Sequence, residues 1–184
     1  MRPRSLYQTL EDRDNPDKIE DHGPFRCNRE SAWLGSGYYF WDSSIDSAHF
    51  WGNTSYKGNY IICQSYYDYD SLEFLDLVGN TEHLYQLRVI AEKVAKRKNV
   101  NPTVSMVIEQ MKRFSKLEEN YKAIRAYPIS SQSNFDNWIK FIDTHSAFMD
   151  LDPPIQMCVL VKSFLLNNKF EIIYPEMYCS DYVV

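Results

Sequence analysis

The residues whose types and spacing could do chemistry lie between Leu34 and Trp51. Gly35 and Gly37 flank Ser36, and such a pair lets the backbone approach a ligand or a neighbouring strand closely. Tyr38 to Trp41 reads as a strand, with Asp42 or Ser43 as the N-cap of a following helix. On that helix Ser47 and Phe50 stand three apart and face the same way. A strand tyrosine, Tyr39, a helix serine and a helix aromatic could converge on one flat, polar-edged ligand. The same residue types also suit a turn, a strand and a capped helix that only pack a core.

Other chemistries find little support. The cysteines, Cys27, Cys63, Cys158 and Cys179, are scattered, with no CxxC spacing. The histidines, His22, His49, His83 and His145, stand near none of them in sequence, so no metal is expected. Free thiols in a reducing compartment are the ordinary reading, and a cytoplasmic location follows as an expectation. There is no G-x-S-x-G elbow, and Asp143, His145 and Ser146 are a local cluster only. No cysteine has an obvious histidine partner, which argues against a thiol nucleophile.

The elements that must position these residues fit an α+β chain of one domain, 1–184. Its 184 residues are enough to bury a real core. No apolar run is long enough to span a bilayer, so no membrane partner is expected, and Met1 to Ser5 has charge without an apolar stretch behind it. Strand-like runs cover 60–67, 121–127, 155–162 and 170–174, and 135–141 has the spacing of a short helix with Trp138 on its apolar side. Leu84, Leu87, Ile90, Ala91 and Val94 recur at helical spacing after the cap Asn80, and the run ends in Lys96, Arg97, Lys98 and Asn99. Pro102 opens a second helix through Val104, Val107, Ile108 and Met111, giving a helical hairpin over about 80–117. Residues 88–116 hold eight basic and two acidic side chains. That balance of +6 leaves −11 for the rest of a chain whose total is −5. Aromatic content is high, with 14 Tyr, 10 Phe and 4 Trp, enough to line a pocket with rings or to fill a core.

The pattern G-x-G-x-Y-F-x-D-x-x-x-x-S-A, from Gly35 to Ala48, resembles the second signature of the poly(ADP-ribose) polymerases and related ADP-ribosyltransferases. Seven fixed residues at fixed spacing make that resemblance specific where a lone GxG would not. It implies an ADP-ribosyltransferase-like split antiparallel β-sheet core, interrupted here by the helical hairpin. It also implies NAD as co-substrate, with nicotinamide between Tyr39 and Phe50 and its carboxamide held by Ser47, beside Gly37. Leu6-Tyr7-Gln8-Thr9 stands where the family has its first strand, with Ile19 and Gly23 at the distance of the helix and loop behind it. Gln156 to Val161 stands where a late strand begins with the family's glutamate. The family's histidine and glutamate positions are therefore Gln8 and Gln156, with Thr9 in place of a glycine. Neither glutamine supplies charge, although both can donate and accept hydrogen bonds. Glu30, Asp42, Asp152 and Glu171 are carboxylates that folding could bring in instead.

The resemblance implies a mono-ADP-ribosyltransferase like the small bacterial and phage toxins or defence effectors. It would transfer ADP-ribose to a macromolecular acceptor, with nucleic acid slightly favoured over protein, and would have an antitoxin or immunity protein as partner. Trp33, Trp41 and Trp51 lie near the expected cleft, where rings and a basic track could hold a single strand. The alternatives are a non-catalytic NAD- or ADP-ribose-binding module on the same fold and an NAD glycohydrolase; a phosphotransferase on a related fold would need basic residues that cannot be placed. The C-terminal residues 178–184 are apolar enough to dock on a partner or to finish the sheet.

Overall fold

Strands β1 (Pro3–Glu11) and β3 (Tyr60–Asp68) pair antiparallel over their whole length, from Pro3↔Asp68 to Glu11↔Tyr60, without a shift of register. Around this ladder the computed structural model, which describes residues 1–114, 117–128, 137–144 and 146–179, builds a mixed α+β chain. The remaining strands of the main sheet are β2 (Tyr38–Asp42), β4 (Phe74–Asp76), β5 (Ala123–Ala126), β8 (Gln156–Val159) and β9 (Glu171–Tyr174). Their order is β4-β5-β8-β2-β1-β3-β9, antiparallel throughout except for β4 beside β5.

Alternation along each strand sends side chains to two faces. Leu6, Phe40, Cys63, Tyr67, Met157 and Val159 pack on the first face under helix α1 (Pro16–His22) and the segment carrying Phe164, Leu165 and Phe170. The second face has two covers. Helix α2 (Ile45–Ser55) lays Ala48 on Tyr60 and Ile62. A hairpin of α3 (Thr81–Lys98) and α4 (Val104–Phe114), followed by α5 (Leu117–Asn120), lays Val107, Ile108, Met111 and Leu117 on Leu75, Ile124 and Cys158. Tyr39, Trp41 and Gln156 belong to this second face, between the two covers. No helix among the described residues is long and apolar enough to cross a membrane.

The hairpin follows its sequence signals. Asn80 Oδ1 accepts from the N–H groups of Glu82 and His83, and Asn99 closes α3 in the left-handed region at φ 52°. Thr103 Oγ1 accepts from the Met106 N–H at the start of α4. Two expectations change. The cap of α2 is Ser44, whose Oγ accepts from the Ser47 N–H, because Asp42 is used elsewhere and Ser43 has φ 62°. Part of the expected helix at 135–141 is strand β6 (Trp138–Lys140), paired with β7 (Phe148–Asp150). That partner lies ten residues further along the chain, beyond any local periodicity. Phe135, Asp136, His145 and the tail from Ser180 to Val184 lie outside the described residues, as does Lys116 of the basic segment.

Asp42 is used by Arg125. This arginine is 5% exposed in the interior of the sheet. Its Nε donates to Asp42 Oδ2 at 2.7 Å and its Nη1 to Asp76 Oδ1 at 3.2 Å. Tyr67 donates its hydroxyl to Asp42 Oδ1 at 3.2 Å, and Arg4 stands 3.8 Å from the same carboxylate. Removing one partner would strand a buried charge. Asp42→Ala is therefore expected to cost about 3–5 kcal/mol in urea unfolding, whereas Glu11→Ala, which frees the exposed Arg13, costs less than about 1 kcal/mol.

Candidate functional site

Strands β1 and β2 pair at only two positions, Leu6↔Asp42 and Tyr7↔Trp41, and then part. The backbone groups of alternate residues point to alternate sides of a strand. Ser43 N–H donates to Ser5 O, so Ser5, Tyr7 and Thr9 turn their backbone toward β2. The N–H and C=O of Thr9 therefore face the gap that opens where the strands part. A short segment runs along the β2 side of this gap. Cys27 and Gly37 exchange hydrogen bonds of 2.7 and 3.2 Å, which in register sets Phe25 opposite Tyr39. Gln8 spans the opening. Its Nε2 donates to Phe25 O at 3.0 Å and Tyr39 O at 3.2 Å, and its Oε1 accepts from Phe25 N–H at 2.9 Å.

The Cys27–Gly37 pairing closes an Ω-like loop over 27–37. Tyr39 holds the far side of that loop: its hydroxyl accepts from Leu34 N–H at 2.9 Å and donates to Gly35 O at 2.7 Å. Burial, with the neighbouring Cys158 next, pushes the phenol pKa well above the ordinary tyrosine value, so the ring stays neutral. Gly35 sits at φ +79°, and a Cβ there would meet Glu109 Oε1 at 3.1 Å and Lys112 Nζ at 3.3 Å. Helix α4 thus backs the loop, and Lys112 Nζ also reaches Ser36 O at 3.4 Å. Gly37 answers a different need. A Cβ there would stand 2.4 Å from Cys158 Sγ and 3.0 Å from Val159 O.

Between the parted strands, the loop and α2 lies a cleft of about 460 Å³. The strands contribute Gln8, Thr9, Tyr39, Trp41 and Gln156; the loop and its approach contribute Phe25, Arg26, Asn28, Arg29 and Trp33; α2 and its end contribute Trp51 and Tyr56. Among the described residues, Arg26 and Arg29 are the only charged side chains lining it. Arg26 is oriented by Ser36, with Nε donating to Ser36 Oγ at 2.9 Å. Trp41 and Trp51 form a tilted ring pair, with centroids 6.2 Å apart. Gln156, opposite Trp41 in the ladder, is half-buried, and its amide has no hydrogen-bond partner among the described residues. Rings, two guanidinium groups and free amide edges suit an anionic ligand with a flat group. Among the described residues, no carboxylate, imidazole or amine lines the cleft to carry protons. A second hollow of about 410 Å³, between α3, α4 and α5, is lined mainly by Tyr85, Val89, Ile90, Met111, Leu117 and Tyr121, with no cation among the described lining residues.

The fold brings four of the expected site residues together: Gln8, Thr9, Tyr39 and Gln156 line one cleft. Thr9 also ties β1 to α2, its Oγ1 donating to Ala48 O at 2.9 Å. Ser47 and Phe50 are not among the lining residues. Ser47 Oγ accepts from Ser44 Oγ at 2.9 Å within the helix cap, and Phe50 is 67% exposed. One residue further on, Trp51 turns into the cleft, so the helix presents a ring there from a different position. Gly37 stands at the neck of the loop. The candidate carboxylates all lie elsewhere. Asp42 is bound to Arg125, Glu171 pairs with Lys169 at 2.7 Å, and Glu30 and Asp152 are exposed. Arg26 and Arg29 escaped the sequence reading because the loop has no periodicity to mark an inward side.

Adding Cβ to Gly37 should distort this neck. Gly37→Ala is expected to cost about 1–3 kcal/mol, partly restored by adding Cys158→Ala, as thermal unfolding would show. The thiols should divide by burial. Cys158 is pushed up to about 12 and Cys63 also well upward, both by burial first, while Cys27 lines the cleft. Alkylation of the folded protein at pH 8.5, read by mass spectrometry, should modify Cys27 and spare Cys63 and Cys158. Comparison with known proteins gave no match to any family model, any curated protein or any solved structure.

Proposed function

We propose that the protein is an NAD-dependent mono-ADP-ribosyltransferase working in the cleft between β1 and β2. The observation that carries this reading is the meeting of Gln8, Thr9, Tyr39 and Gln156 in a cleft whose charges, among the described residues, are Arg26 and Arg29. The sequence pattern from Gly35 to Ala48 resembles an NAD-binding signature, and the cleft has the chemistry a dinucleotide needs. Arg26 and Arg29 match the diphosphate. The Trp41–Trp51 pair and Tyr39 offer ring faces. The Thr9 backbone, facing the gap, offers a donor and an acceptor to a carboxamide.

In the reaction, the bond between nicotinamide N1 and ribose C1″ breaks, nicotinamide leaves with the bonding pair, and an acceptor nucleophile attacks C1″ and loses a proton. Gln156 is the polar group placed to turn its carbonyl oxygen toward the developing positive charge, more weakly than a carboxylate would. The rest of the rate must come from holding NAD and acceptor in line. Rings and cations without a carboxylate favour a nucleic-acid acceptor over a protein, and exposed Lys93, Lys96, Lys98 and Arg113 on the hairpin add to that. A toxin or defence role, with an antitoxin as partner, belongs to the same proposal. A second reading, a non-catalytic nucleotide binder on this fold, is favoured by the lack of a carboxylate among the described lining residues.

The test is nicotinamide release from NAD, with and without RNA, single-stranded DNA or cell protein. Release that rises with one acceptor is expected. Arg29→Ala should raise KM about tenfold with kcat little changed, and Gln156→Ala should mainly lower kcat. Release independent of acceptor would mean a glycohydrolase. Binding without release would favour the second reading, and no binding of NAD would overturn both.

A further inference from the structure

We propose that Gln8 is a positioning residue, a latch that fixes the 25–37 loop and with it Arg29 and Trp33, and that it does not contact the bound nucleotide as a donor. A glutamine amide has two N–H donors and two acceptor lone pairs. In Gln8 both donors are spent, on Phe25 O and Tyr39 O, and one lone pair accepts from Phe25 N–H. The side chain is 5% exposed, so breaking any of these bonds would strand a buried polar group. A neutral imidazole, with one donor and one acceptor, could not make all three bonds at once. Glutamine suits this place because the parted strands leave a gap that only a group bonding both ways can bridge. Gln156 is the contrast: the same amide, half-buried at the cleft, with no partner among the described residues. The two glutamines therefore divide the work, with Gln8 building the wall and Gln156 facing the ligand.

The latch stands on these hydrogen bonds alone; only its consequence for binding rests on the function proposed above. The first experiment needs no nucleotide. Amide hydrogen exchange is measured on the free protein and on Gln8→Met, which keeps the bulk and loses all three bonds. The expected result is exchange at Phe25 and Cys27 at least about tenfold faster in the variant, with the β1–β3 ladder unchanged. Unchanged exchange at Phe25 would overturn the proposal. Should the variant lose its ladder as well, the wild type decides. Slow exchange at Phe25 before any nucleotide is added supports the latch, and slow exchange only after ADP is added overturns it.

The second experiment is a double-mutant cycle on ADP affinity. If Gln8 acts through the loop, Gln8→Met and Arg29→Ala each weaken binding, and the loss in the double variant falls at least about threefold short of the product of the two. Losses that simply multiply would mean that Gln8 meets the ligand itself. A wild-type protein that does not bind ADP at all would count against the proposed function, and the exchange result would still decide the latch.

Discussion

The architecture depends on one buried cation. Arg125 lies on the first face of the sheet, and its guanidinium keeps its proton in any protein interior, so the fold must supply carboxylates to it. Asp42 comes from the end of β2 and Asp76 from the end of β4. Burial acts against the charged form, but the hydrogen bond and charge of Asp42, with Asp76 behind it, outweigh that and raise the pKa above the ordinary arginine value. Three strands are thereby fixed to each other at their ends. Asp42 is also the residue where β2 still pairs with β1, through Leu6. The ion pair therefore pins the closed end of the split, and everything beyond Tyr7↔Trp41 opens from a fixed point.

The open end is held by weaker and more distributed means. Gln8 crosses the gap, Cys27 pairs with Gly37, and the Tyr39 hydroxyl gathers Leu34 and Gly35. From outside, Lys112 reaches Ser36 O while standing 3.9 Å from both Glu109 and Glu118. It is only 14% exposed, unlike the solvated lysines at the end of α3. The basic hairpin is thus not only a charged surface; one of its cations is built into the cleft wall. Gly35, at φ +79°, makes the turn that brings the loop close against this helix.

Much of the framework was legible in the sequence because it rests on local chemistry. Asn80, Asn99 and Pro102 mark the hairpin, and β-branched and aromatic runs mark β3, β5, β8 and β9 near their observed limits. Trp33, Trp41 and Trp51, close in sequence to the pattern at 35–48, all line one cleft. What could not be read was set by distant partners. Asp42 looks like a helix cap until Arg125, far along the chain, claims it. Trp138 looks helical until Phe148 to Asp150 pairs with its strand. Helix α2 was placed correctly, but its inward ring is Trp51 and not Phe50. The helix turns 100° between neighbours, so a small change in its seating on the sheet decides which one enters the cleft.

The lining of the cleft also limits how any reaction there can proceed. The chain has 25 acidic residues, yet none of the described ones lines this cleft, and the only charges among its described lining residues are the two arginines. Neither arginine can take up a proton, and the Tyr39 phenol is held neutral by burial. Besides the Cys27 thiol, no described lining side chain is a ready base, so a group that must lose a proton here is best acidic already or brings its own base. A phosphate-bearing partner fits that constraint, because its oxygens meet the arginines and can also accept a nearby proton. A lysine side chain does not, because it would enter as a cation beside two guanidinium groups with no carboxylate to balance it. On the proposed function, the electrostatics that would admit an anionic nucleotide would also select among acceptors, before any contact with a particular base or side chain is made.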